Sequence, residues 1–498
     1  MKVLPDRLPR HVYAAAQVRE LERLAIARGV TGDDLMSRAG AAAFALLRQR
    51  WPSAHTVAIV CGVGNNAGDG FVVARLAKAA GLAVDVLSVM PEARLAGEAG
   101  RAAADCRAAG VAIDAFDVRA LDGADVIVDA LFGTGLSRPV AGDMRAAIEA
   151  INAARAPVLA LDVPSGLDAD TGWPNPVAVR ADTTITFLGL KQGLFLGGAA
   201  DYCGRVEFDG LEIPADLAAG LAPLLTRLTF ADLARALPRR PRSAHKGSCG
   251  RLLLVGGGPG MPGAIRLAAE AALRVGAGLV YVATHRDNAG PVLSGRPEII
   301  CRAVGSAQDL EELISMVDGA VLGPGLGRSA WARGLWRRVV DSELPLVVDA
   351  DGLNWLAAEP FERGRWLLTP HAGEAARLLG SSTDEVQRDR CAAAQALARR
   401  FGATVVLKGP NTLVATPHAS DALCVCDRGN PGMATAGTGD VLAGTLGALY
   451  VQTRDFDVAA RAGVLLHALA GDAAAEAGER GTVAGDLLPH LREWANPV

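Results

Sequence analysis

A glycine-rich stretch in the second half of the chain carries the clearest chemical signal. Residues 429–444 read GNPGMATAGTGDVLAG, with GTGD at 437–440 and a helix predicted to begin near Val441. Glycine lets backbone N–H groups turn toward an anion, and a helix N-terminus adds partial positive charge. A carboxylate there suits a general base acting on a hydroxyl that attacks a phosphate, although Asp440 could instead cap the helix.

Four further motifs in this half follow predicted strands: VLGPGLG at 321–327, VVDADGLN at 347–354, TPHAGE at 369–374 and VVLKGPNTLVA at 405–415. Lys408 could pair with a nucleotide phosphate or cap a turn. Asp349 and Asp351 could hold Mg²⁺ through water or cap the helix at Leu353. His371 could be structural or functional.

The first half offers oxygen ligands at successive strand ends. TVAIVCGVGNNAGDG at 56–70 reads as strand, loop and helix, and its glycines are one residue off the spacing of a dinucleotide fingerprint. Asn66, Asp129 and Ser165 each follow or end a predicted strand, and each alone would suit a cap or turn. Because strand ends share one edge of a parallel sheet, together they favour a monovalent cation over a divalent one.

Size and composition are those of an enzyme with several domains. The chain has 498 residues, of which 50% are hydrophobic and 21% charged, and its net charge is −4. This charge predicts no nucleic-acid partner and no anionic membrane surface. We expect no secretory signal and no membrane span. The eight cysteines lack paired metal spacing, so we predict free thiols in a reducing cytoplasm.

The candidate functional residues must be positioned by strands that alternate with Ala-rich helices in both halves. Strands are predicted at 57–60, 84–89, 126–130, 158–162, 183–187 and 206–208, and then at 251–255, 280–284, 319–322, 346–349, 366–369 and 404–408. This alternation predicts an α/β fold with two doubly wound domains built on parallel sheets. We expect domains at 1–215 and 241–498, joined by a solvated linker at 216–240 that runs into LPRRPRSAHKG.

The motifs CGVGNNAGDG, DALFGTGLSRPV and DVPSGLDADTG resemble those of the NAD(P)H-hydrate epimerase domain, which is Rossmann-like. Ala67 stands where family members usually have glycine. The resemblance covers about 12–213 and implies potassium bound by Asn66, Asp129 and Ser165. It implies contacts to the hydrated nicotinamide nucleotide from Asn65, Asn66, Ala67, Gly68, Asp69, Gly133, Thr134, Gly135, Leu136, Ser137, Arg138, Pro139 and Asp162. We predict Asp162 as the residue that transfers protons, because of its position at a strand end.

The motifs VVDADGLN, TPHAGE and NPGMATAGTGD resemble the ADP-dependent NAD(P)H-hydrate dehydratase branch of the ribokinase-like superfamily, over about 240–495. The resemblance implies that the hydrate is surrounded by Ala264, Gly325, His371 and Asp440. It implies that the adenine nucleotide is bound by Lys408, Gly409, Pro410, Asn411, Thr412 and Gly439. ADP as co-substrate and Mg²⁺ with unassigned ligands come from the resemblance alone.

The sequence as a whole is therefore interpreted as a bifunctional repair enzyme for NADH and NADPH hydrates. One half would interconvert the R and S epimers, and the other would dehydrate the S epimer with ADP, giving AMP and phosphate. We expect a cytoplasmic homo-oligomer. Two alternatives remain: a vitamin or sugar kinase, because GTGD also serves there, and a first half that only binds nucleotide or docks a partner.

Overall fold

The computed structural model describes residues 7–136, 138–418 and 423–496. The chain forms two compact units, one ending at Leu225 and the other beginning at Thr226. In the part described, no helix combines the length and the apolar character needed to cross a membrane. The eight cysteines are free, and five of them are buried: Cys61, Cys106, Cys203, Cys424 and Cys426. The other three, Cys249, Cys301 and Cys391, are half-buried.

The first unit is built on parallel strands and five helices. Its strands are β1 (His11–Tyr13), β2 (Thr56–Cys61), β3 (Ala83–Ser88), β4 (Ile113–Ala115), β5 (Val126–Ala130), β6 (Val158–Leu161), β7 (Thr183–Phe187), β8 (Leu190–Lys191) and β9 (Arg205–Asp209). Its helices are α1 (Ala15–Ala27), α2 (Gly32–Arg50), α3 (Asn65–Ala79), α4 (Gly97–Ala108) and α5 (Gly142–Ala153).

The main sheet of this unit has the order β4-β3-β2-β5-β6-β7-β9, and all of its pairs are parallel. The strands β5, β6 and β7 are buried along their whole length, because helices cover both faces of the sheet. The strand order changes direction at β2, because β3 and β4 follow on one side of it and β5 to β7 on the other. In such sheets, ligands bind at the carboxyl ends of the strands beside this change of direction. The predicted doubly wound fold is confirmed here.

The second unit has a larger sheet and twelve helices in the described part. Its strands are β10 (Leu225–Arg227), β11 (Arg251–Val255), β12 (Leu279–Thr284), β13 (Ile300–Ala303), β14 (Gly319–Leu322), β15 (Leu346–Val348), β16 (Trp366–Leu368), β17 (Thr404–Leu407), β18 (Thr412–Ala415) and β19 (Leu423–Cys426). Its helices are α6 (Phe230–Ala236), α7 (Pro262–Val275), α8 (Ala289–Leu293), α9 (Glu311–Met316), α10 (Ala330–Val340), α11 (Asp351–Ala358), α12 (Ala372–Leu379), α13 (Thr383–Arg388), α14 (Arg390–Phe401), α15 (Thr438–Thr453), α16 (Phe456–Ala474) and α17 (Ala484–Trp494).

The sheet order of the second unit is β13-β12-β11-β14-β15-β16-β17-β18-β19. The pairs from β13 to β17 are parallel, whereas β17, β18 and β19 form an antiparallel meander. The expectation of parallel pairing throughout was therefore wrong at this edge. Only four residues separate β17 from β18, and a connection that short can join antiparallel strands but not parallel ones.

The segment 216–240, predicted as a solvated linker, contains β10 and α6. Leu228 and Leu233 are fully buried in the core of the second unit, and Arg227 forms an ion pair with Asp427 at 2.6 Å. The arginines and prolines near its end masked an apolar pattern in the preceding residues. Between α6 and β11, residues 237–250 form no helix or strand.

Helix α15 is the central helix of the second unit, and its residues from Val441 to Val451 are all buried. It begins at Thr438, three residues before the predicted position, so Asp440 lies within its first turn. A Cβ on Gly444 would lie 1.9 Å from the backbone oxygen of Ala268 in α7. The two helix backbones therefore touch, and this contact fixes how α15 is seated.

Candidate functional site

In the first unit, the structure brings together the three residues predicted to bind a cation. Asp129 ends β5, Ser165 follows β6 and Asn66 lies in the first turn of α3. The hydroxyl of Ser165 donates to Asp129 Oδ1 at 2.5 Å, and its backbone N–H donates to Oδ2 at 2.8 Å. Asn66 Nδ2 donates to the carbonyl oxygen of Phe132 at 2.9 Å, and the backbone N–H of Phe132 donates to Ser165 Oγ at 2.8 Å.

This cluster has the chemistry of a site for a monovalent cation. Asn66 Oδ1 is buried and has no hydrogen-bond donor among the described residues. Asp129 is fully buried, and this burial raises the pKa of its carboxyl to about 6. A buried carboxylate and an unsatisfied amide oxygen both gain from a bound cation. Since the set holds one carboxylate among neutral oxygens, it suits a weakly hydrated monovalent ion.

Asp162 stands beside this cluster and is held by a lysine that the sequence interpretation missed. Its backbone is left-handed, with φ of 65°, which is costly for a residue other than glycine. Lys191 is 1% exposed and donates to Asp162 Oδ1, to Thr186 Oγ1 at 3.0 Å and to the carbonyl oxygen of Phe187 at 2.8 Å. All three ammonium hydrogens thus have acceptors within the protein.

The second oxygen of Asp162 faces the loop that follows β5. A Cβ on Gly133 would lie 3.4 Å from Asp162 Oδ2 and 3.7 Å from Asn66 Cβ. Oδ2 is therefore the atom of this carboxylate that a ligand could reach. Arg19 donates to the carbonyl oxygen of Thr134 at 3.2 Å, which links the loop to α1.

The other predicted contacts of this loop and of α3 differ in exposure. Gly135, Arg138 and Pro139 are exposed and Leu136 is half-buried, whereas Ser137 lies outside the described residues. Asn65 is exposed at the start of α3, but Ala67 and Gly68 are buried. A Cβ on Gly68 would lie 2.4 Å from Met36 Cε, so the chain is closely packed at this position.

Two more carboxyls complete this site, and both have raised pKa values. Asp69, just after the first turn of α3, is 8% exposed. Burial raises its pKa well above the usual range, and the nearby carboxylates of Asp162 and Glu22 add to the rise. Burial also raises the pKa of Glu22. The site therefore places a lysine-paired carboxylate beside acids whose pKa values are raised by burial.

In the second unit, the GTGD turn opens α15 as the sequence predicted. Gly437 is the N-cap, with φ of 94°, a conformation that favours glycine. Asp440 is therefore not the cap, and that alternative was wrong. Burial, together with the carboxylates of Asp349 and Asp351, raises the pKa of Asp440 to about 7, while Lys408 opposes the rise. A carboxyl with such a pKa can accept a proton near neutral pH.

The ammonium of Lys408 pairs with buried carboxylates, so this side chain does not cap a turn. Its ammonium lies 2.6 Å from Asp349 Oδ1 and 3.7 Å from Glu374 Oε2. Thr369 Oγ1 also donates to Asp349 Oδ1 at 2.7 Å. A Cβ on Gly439 would lie 3.6 Å from Lys408 Nζ, so Lys408 sits directly beside the GTGD turn.

Asp349 and Asp351 do not cap α11, which was one of the two roles considered for them. Asp351 is the first residue of α11 after Ala350, the N-cap, which has φ of 47°. Asp351 Oδ2 accepts from the backbone N–H of Gly327 at 2.8 Å, and Oδ1 accepts from Asn354 Nδ2 at 3.3 Å. Within the described ranges, no group of three His, Cys, Asp or Glu residues could hold a metal ion.

His371 caps a helix and also lies close to the network that Lys408 forms with Asp349 and Glu374. It is the N-cap of α12, and its Nδ1 accepts from the backbone N–H groups of Gly373 and Glu374 at 3.0 and 3.3 Å. Glu374 Oε2 in turn accepts from the backbone N–H of His371 at 2.8 Å, which completes a capping box. Burial and the charge of Lys408 lower the pKa of His371 and favour the neutral imidazole.

The remaining predicted contacts lie on neighbouring loops. A Cβ on Gly325 would lie 3.1 Å from Ala264 Cβ, so the loop after β14 touches the first turn of α7. Residues 408–411 form the turn between β17 and β18, in which Gly409 and Asn411 have φ of 144° and 52°. Gly409 and Pro410 are exposed, while Asn411 and Thr412 are half-buried.

Two residues at these sites had no signal in the sequence interpretation. Lys191 ends the short strand β8 and belongs to no motif, and only the fold brings it to Asp162. His467 lies in the apolar helix α16, yet its Nε2 is 2.9 Å from the carbonyl oxygen of Thr438. Each is a single basic residue in an apolar stretch of the sequence. Such a residue, when buried, usually has a polar partner, and this pattern is the signal that could have found both.

Comparison with known proteins matches each unit to a family. Residues 252–493 match the family described as NAD(P)H-hydrate dehydratase, and residues 32–193 match the YjeF-related protein N-terminus. The bifunctional NAD(P)H-hydrate repair enzyme Nnr of Coxiella burnetii is 47% identical over 98% of this chain and 99% of its own length. The enzyme of the same name from Escherichia coli is 43% identical over 100% of this chain and 96% of its own length.

A solved structure is similar to the second unit. A ribokinase-like superfamily protein from Enterococcus faecalis is 28% identical, with a TM-score of 0.51, and the match covers 54% of this chain and 94% of that protein. The predicted ribokinase-like fold of the second unit is thereby confirmed.

The geometry around Lys191 predicts a stability effect. Lys191→Met would leave the carboxylate of Asp162 without its cation, and breaking a buried ion pair costs about 3–5 kcal/mol. We expect the first unit of this variant to unfold at lower urea concentration, measured by hydrogen exchange of peptides from β2, β5 and β6. Lys78→Met, at an exposed site on α3, is the control. Equal stability of the two variants would contradict the assigned pairing.

Proposed function

This chain belongs to the family of bifunctional NAD(P)H-hydrate repair enzymes, and from this premise we propose how its two units divide the reaction. We assign the interconversion of the R and S hydrates to the first unit, which contains most of the domain proposed at 1–215. We assign dehydration of the S hydrate, with consumption of ADP, to the second unit, which contains the domain proposed at 241–498. Both activities in one chain let material of either configuration be repaired.

The position of Asp440 is the observation that carries the dehydratase proposal. A carboxyl with a pKa of about 7 stands within the first turn of a helix whose N-terminal N–H groups can hold an anion. Such a group can take the proton of the C6 hydroxyl of the hydrate while that oxygen attacks the β-phosphorus of ADP. The bond from this phosphorus to the oxygen of AMP breaks, and AMP leaves.

Phosphorylation makes the hydroxyl a good leaving group. The C6–O bond then breaks, phosphate departs and a proton leaves C5, which restores the double bond of the reduced nicotinamide. In our proposal, Ala264, Gly325, His371 and Asp440 surround the hydrate. The nucleotide lies against Gly439 and the turn at 408–412. Lys408 stays paired with Asp349 and acts on the phosphates as a fixed positive charge.

Epimerisation in the first unit changes the configuration at C6, which carries both the hydroxyl and the ring nitrogen. In the proposed step the hydroxyl loses its proton as the bond from C6 to the ring nitrogen breaks, which leaves a carbonyl at C6 while the nitrogen takes the electron pair and a proton. When this bond re-forms on the opposite face of the carbonyl and both protons return, the configuration at C6 is inverted. We assign this transfer to Asp162, through the Oδ2 atom that faces Gly133. The hydrate contacts Asn65 to Asp69 and the loop 133–139.

Potassium fits the oxygen cluster of the first unit. Asn66, Asp129 and Ser165 would hold it, together with the carbonyl oxygen of Phe132. The unsatisfied Asn66 Oδ1 supports this assignment. When bound, the ion supplies a fixed positive charge that orders the loops around the hydrate without strong Lewis acidity.

Magnesium does not fit the carboxylates considered for it. Oδ1 of Asp349 and both oxygens of Asp351 already accept hydrogen bonds from the protein. We therefore leave Mg²⁺ without protein ligands and derive no step through it. A homo-oligomer and a cytoplasmic location remain our proposals, and the free thiols support the latter.

The proposed function is tested with aged NADH that contains both hydrates. We expect full recovery of the absorbance of reduced nicotinamide when ADP is present, with AMP and phosphate formed in equal amounts. Without ADP, only the ratio of R to S should change, which chromatography follows. Phosphorylation of a sugar or pyrimidine without hydrate repair would instead establish the kinase alternative, and a constant R to S ratio would favour a docking role for the first unit.

Asp440→Asn should abolish dehydration, because the amide is nearly isosteric but cannot act as a base. General bases contribute about 10²–10⁴-fold, so a fall of less than about tenfold in kcat would refute this role. Epimerisation by the same variant is the internal control.

In the wild type, the ionised carboxylate of Asp440 is the active form, and the pKa of this carboxyl is about 7. The dehydration rate should therefore rise with pH through this region.

Potassium should both activate epimerisation and stabilise the first unit. A ligand that binds only the folded state raises stability as its concentration rises. Thermal unfolding and R-to-S conversion are compared in potassium and tetramethylammonium chloride at equal ionic strength. Asp129→Asn should remove both effects and leave dehydration of the S hydrate unchanged. Equal stability and equal rates of the wild type in both salts would refute the cation site.

A further inference from the structure

The glycine-rich loop that ends in GTGD lies against a single face of α16. Near the start of the loop, Asp472 Oδ1 accepts from Asn430 Nδ2 at 3.0 Å and Oδ2 accepts from the backbone N–H of Gly429 at 3.2 Å. In the middle, a Cβ on Gly471 would lie 2.2 Å from Met433 Sδ. At the end, His467 contacts Thr438. Residues 467, 471 and 472 share one side of the helix.

The contact of His467 is a specific hydrogen bond. Its Nε2 lies 2.9 Å from the carbonyl oxygen of Thr438, and a carbonyl can only accept, so the ring donates from Nε2. The residue is 8% exposed. Burial lowers its pKa to about 4, so the imidazole is neutral at physiological pH and keeps one tautomer.

This hydrogen bond controls the direction of the next N–H group. The peptide bond is planar and trans, so the carbonyl of Thr438 and the N–H of Gly439 point in opposite directions. A donor that holds the carbonyl toward α16 therefore holds the Gly439 N–H away from α16. Gly439 is the residue that lies beside Lys408, where the proposed function places the phosphates.

We propose that His467 is a positioning residue for the dehydration reaction, which orients the peptide between Thr438 and Gly439 so that its N–H meets the phosphate of the nucleotide. This inference rests on the proposed function. The hydroxyl of Thr438 supports the same orientation, because it lies 3.0 Å from the carbonyl oxygens of both Met433 and Thr435. His467 itself touches no ligand.

The test compares His467→Leu with His467→Gln in the full chain. The leucine variant removes the donor, whereas the amide of glutamine can restore a donor near the place of Nε2. One neutral hydrogen bond is worth about fivefold to tenfold in an equilibrium or rate constant. We expect kcat/KM for ADP to fall by about tenfold in the leucine variant and to stay within about threefold of wild type in the glutamine variant.

Binding measurements separate positioning from general loss of structure. The leucine variant should bind ADP more weakly by calorimetry but bind adenosine as the wild type does, because only ADP offers a phosphate to the Gly439 N–H. Thr445→Val is the matched control. It removes a buried hydrogen bond from Thr445 Oγ1 to the carbonyl oxygen of Val441 at 2.8 Å, elsewhere in α15, and should affect stability alone.

Two results would overturn this role. The first is a His467→Leu variant with the kcat/KM for ADP of the wild type. The second is an equal fall of this kcat/KM in both His467 variants, together with weaker binding of adenosine. A wild-type enzyme that shows no ADP-dependent dehydration would instead refute the proposed function. Epimerisation in each variant reports on the intact first unit.

Discussion

A carboxylate removed from water must have a cation, a proton or several hydrogen-bond donors, and both sites of this protein are organised by that constraint. In the first unit, Lys191 neutralises Asp162, while Asp129 has only hydrogen bonds from its neighbours and so favours a bound cation. In the second unit, Lys408 neutralises Asp349, and Asp440 is left with a pKa of about 7. Each site thus contains one carboxylate paired with a lysine beside another whose pKa is raised by burial. This arrangement arises because both sites are buried at the carboxyl ends of parallel strands. There, most main-chain donors and acceptors are already used within the sheet, so few remain for the carboxylates.

The catalytic turn of the second unit depends on the packing of buried helices more than on the flexibility of its glycines. Helix α15 rests on the backbone of α7 at Gly444, so it can neither rotate nor slide without a clash. Helix α16 then fixes the preceding loop through His467 and Asp472. The glycines permit the backbone conformation, and the neighbouring helices select one orientation of it. For the phosphate site proposed at this turn, such packing would order the backbone before the ligand arrives and so reduce the ordering that binding must offset.

The sequence predicted the strands, the alternation of helices and the place of each site, because buried parallel strands are nearly continuous apolar runs and motifs follow their ends. Asn66, Asp129 and Ser165 could be grouped for the same reason. It did not predict the antiparallel meander of β17 to β19, since apolar runs carry no information on strand direction. It also missed Lys191 and His467, whose partners are distant along the chain and become neighbours only through the packing of the sheet and helices. The role of Lys408 depended on a contact with Asp349, fifty-nine residues away, and local pattern could not decide it.

The burial of the thiols has a consequence for the chemical durability of this protein. Burial raises the pKa of Cys203, Cys391 and Cys426 to about 12, and it raises the pKa of Cys61 further. Since only the thiolate reacts readily with oxidants and electrophiles, these side chains are inert at neutral pH. The proposed chemistry at both sites uses oxygen and nitrogen groups alone. Oxidation of a catalytic thiol is therefore not a route by which the proposed chemistry would be lost.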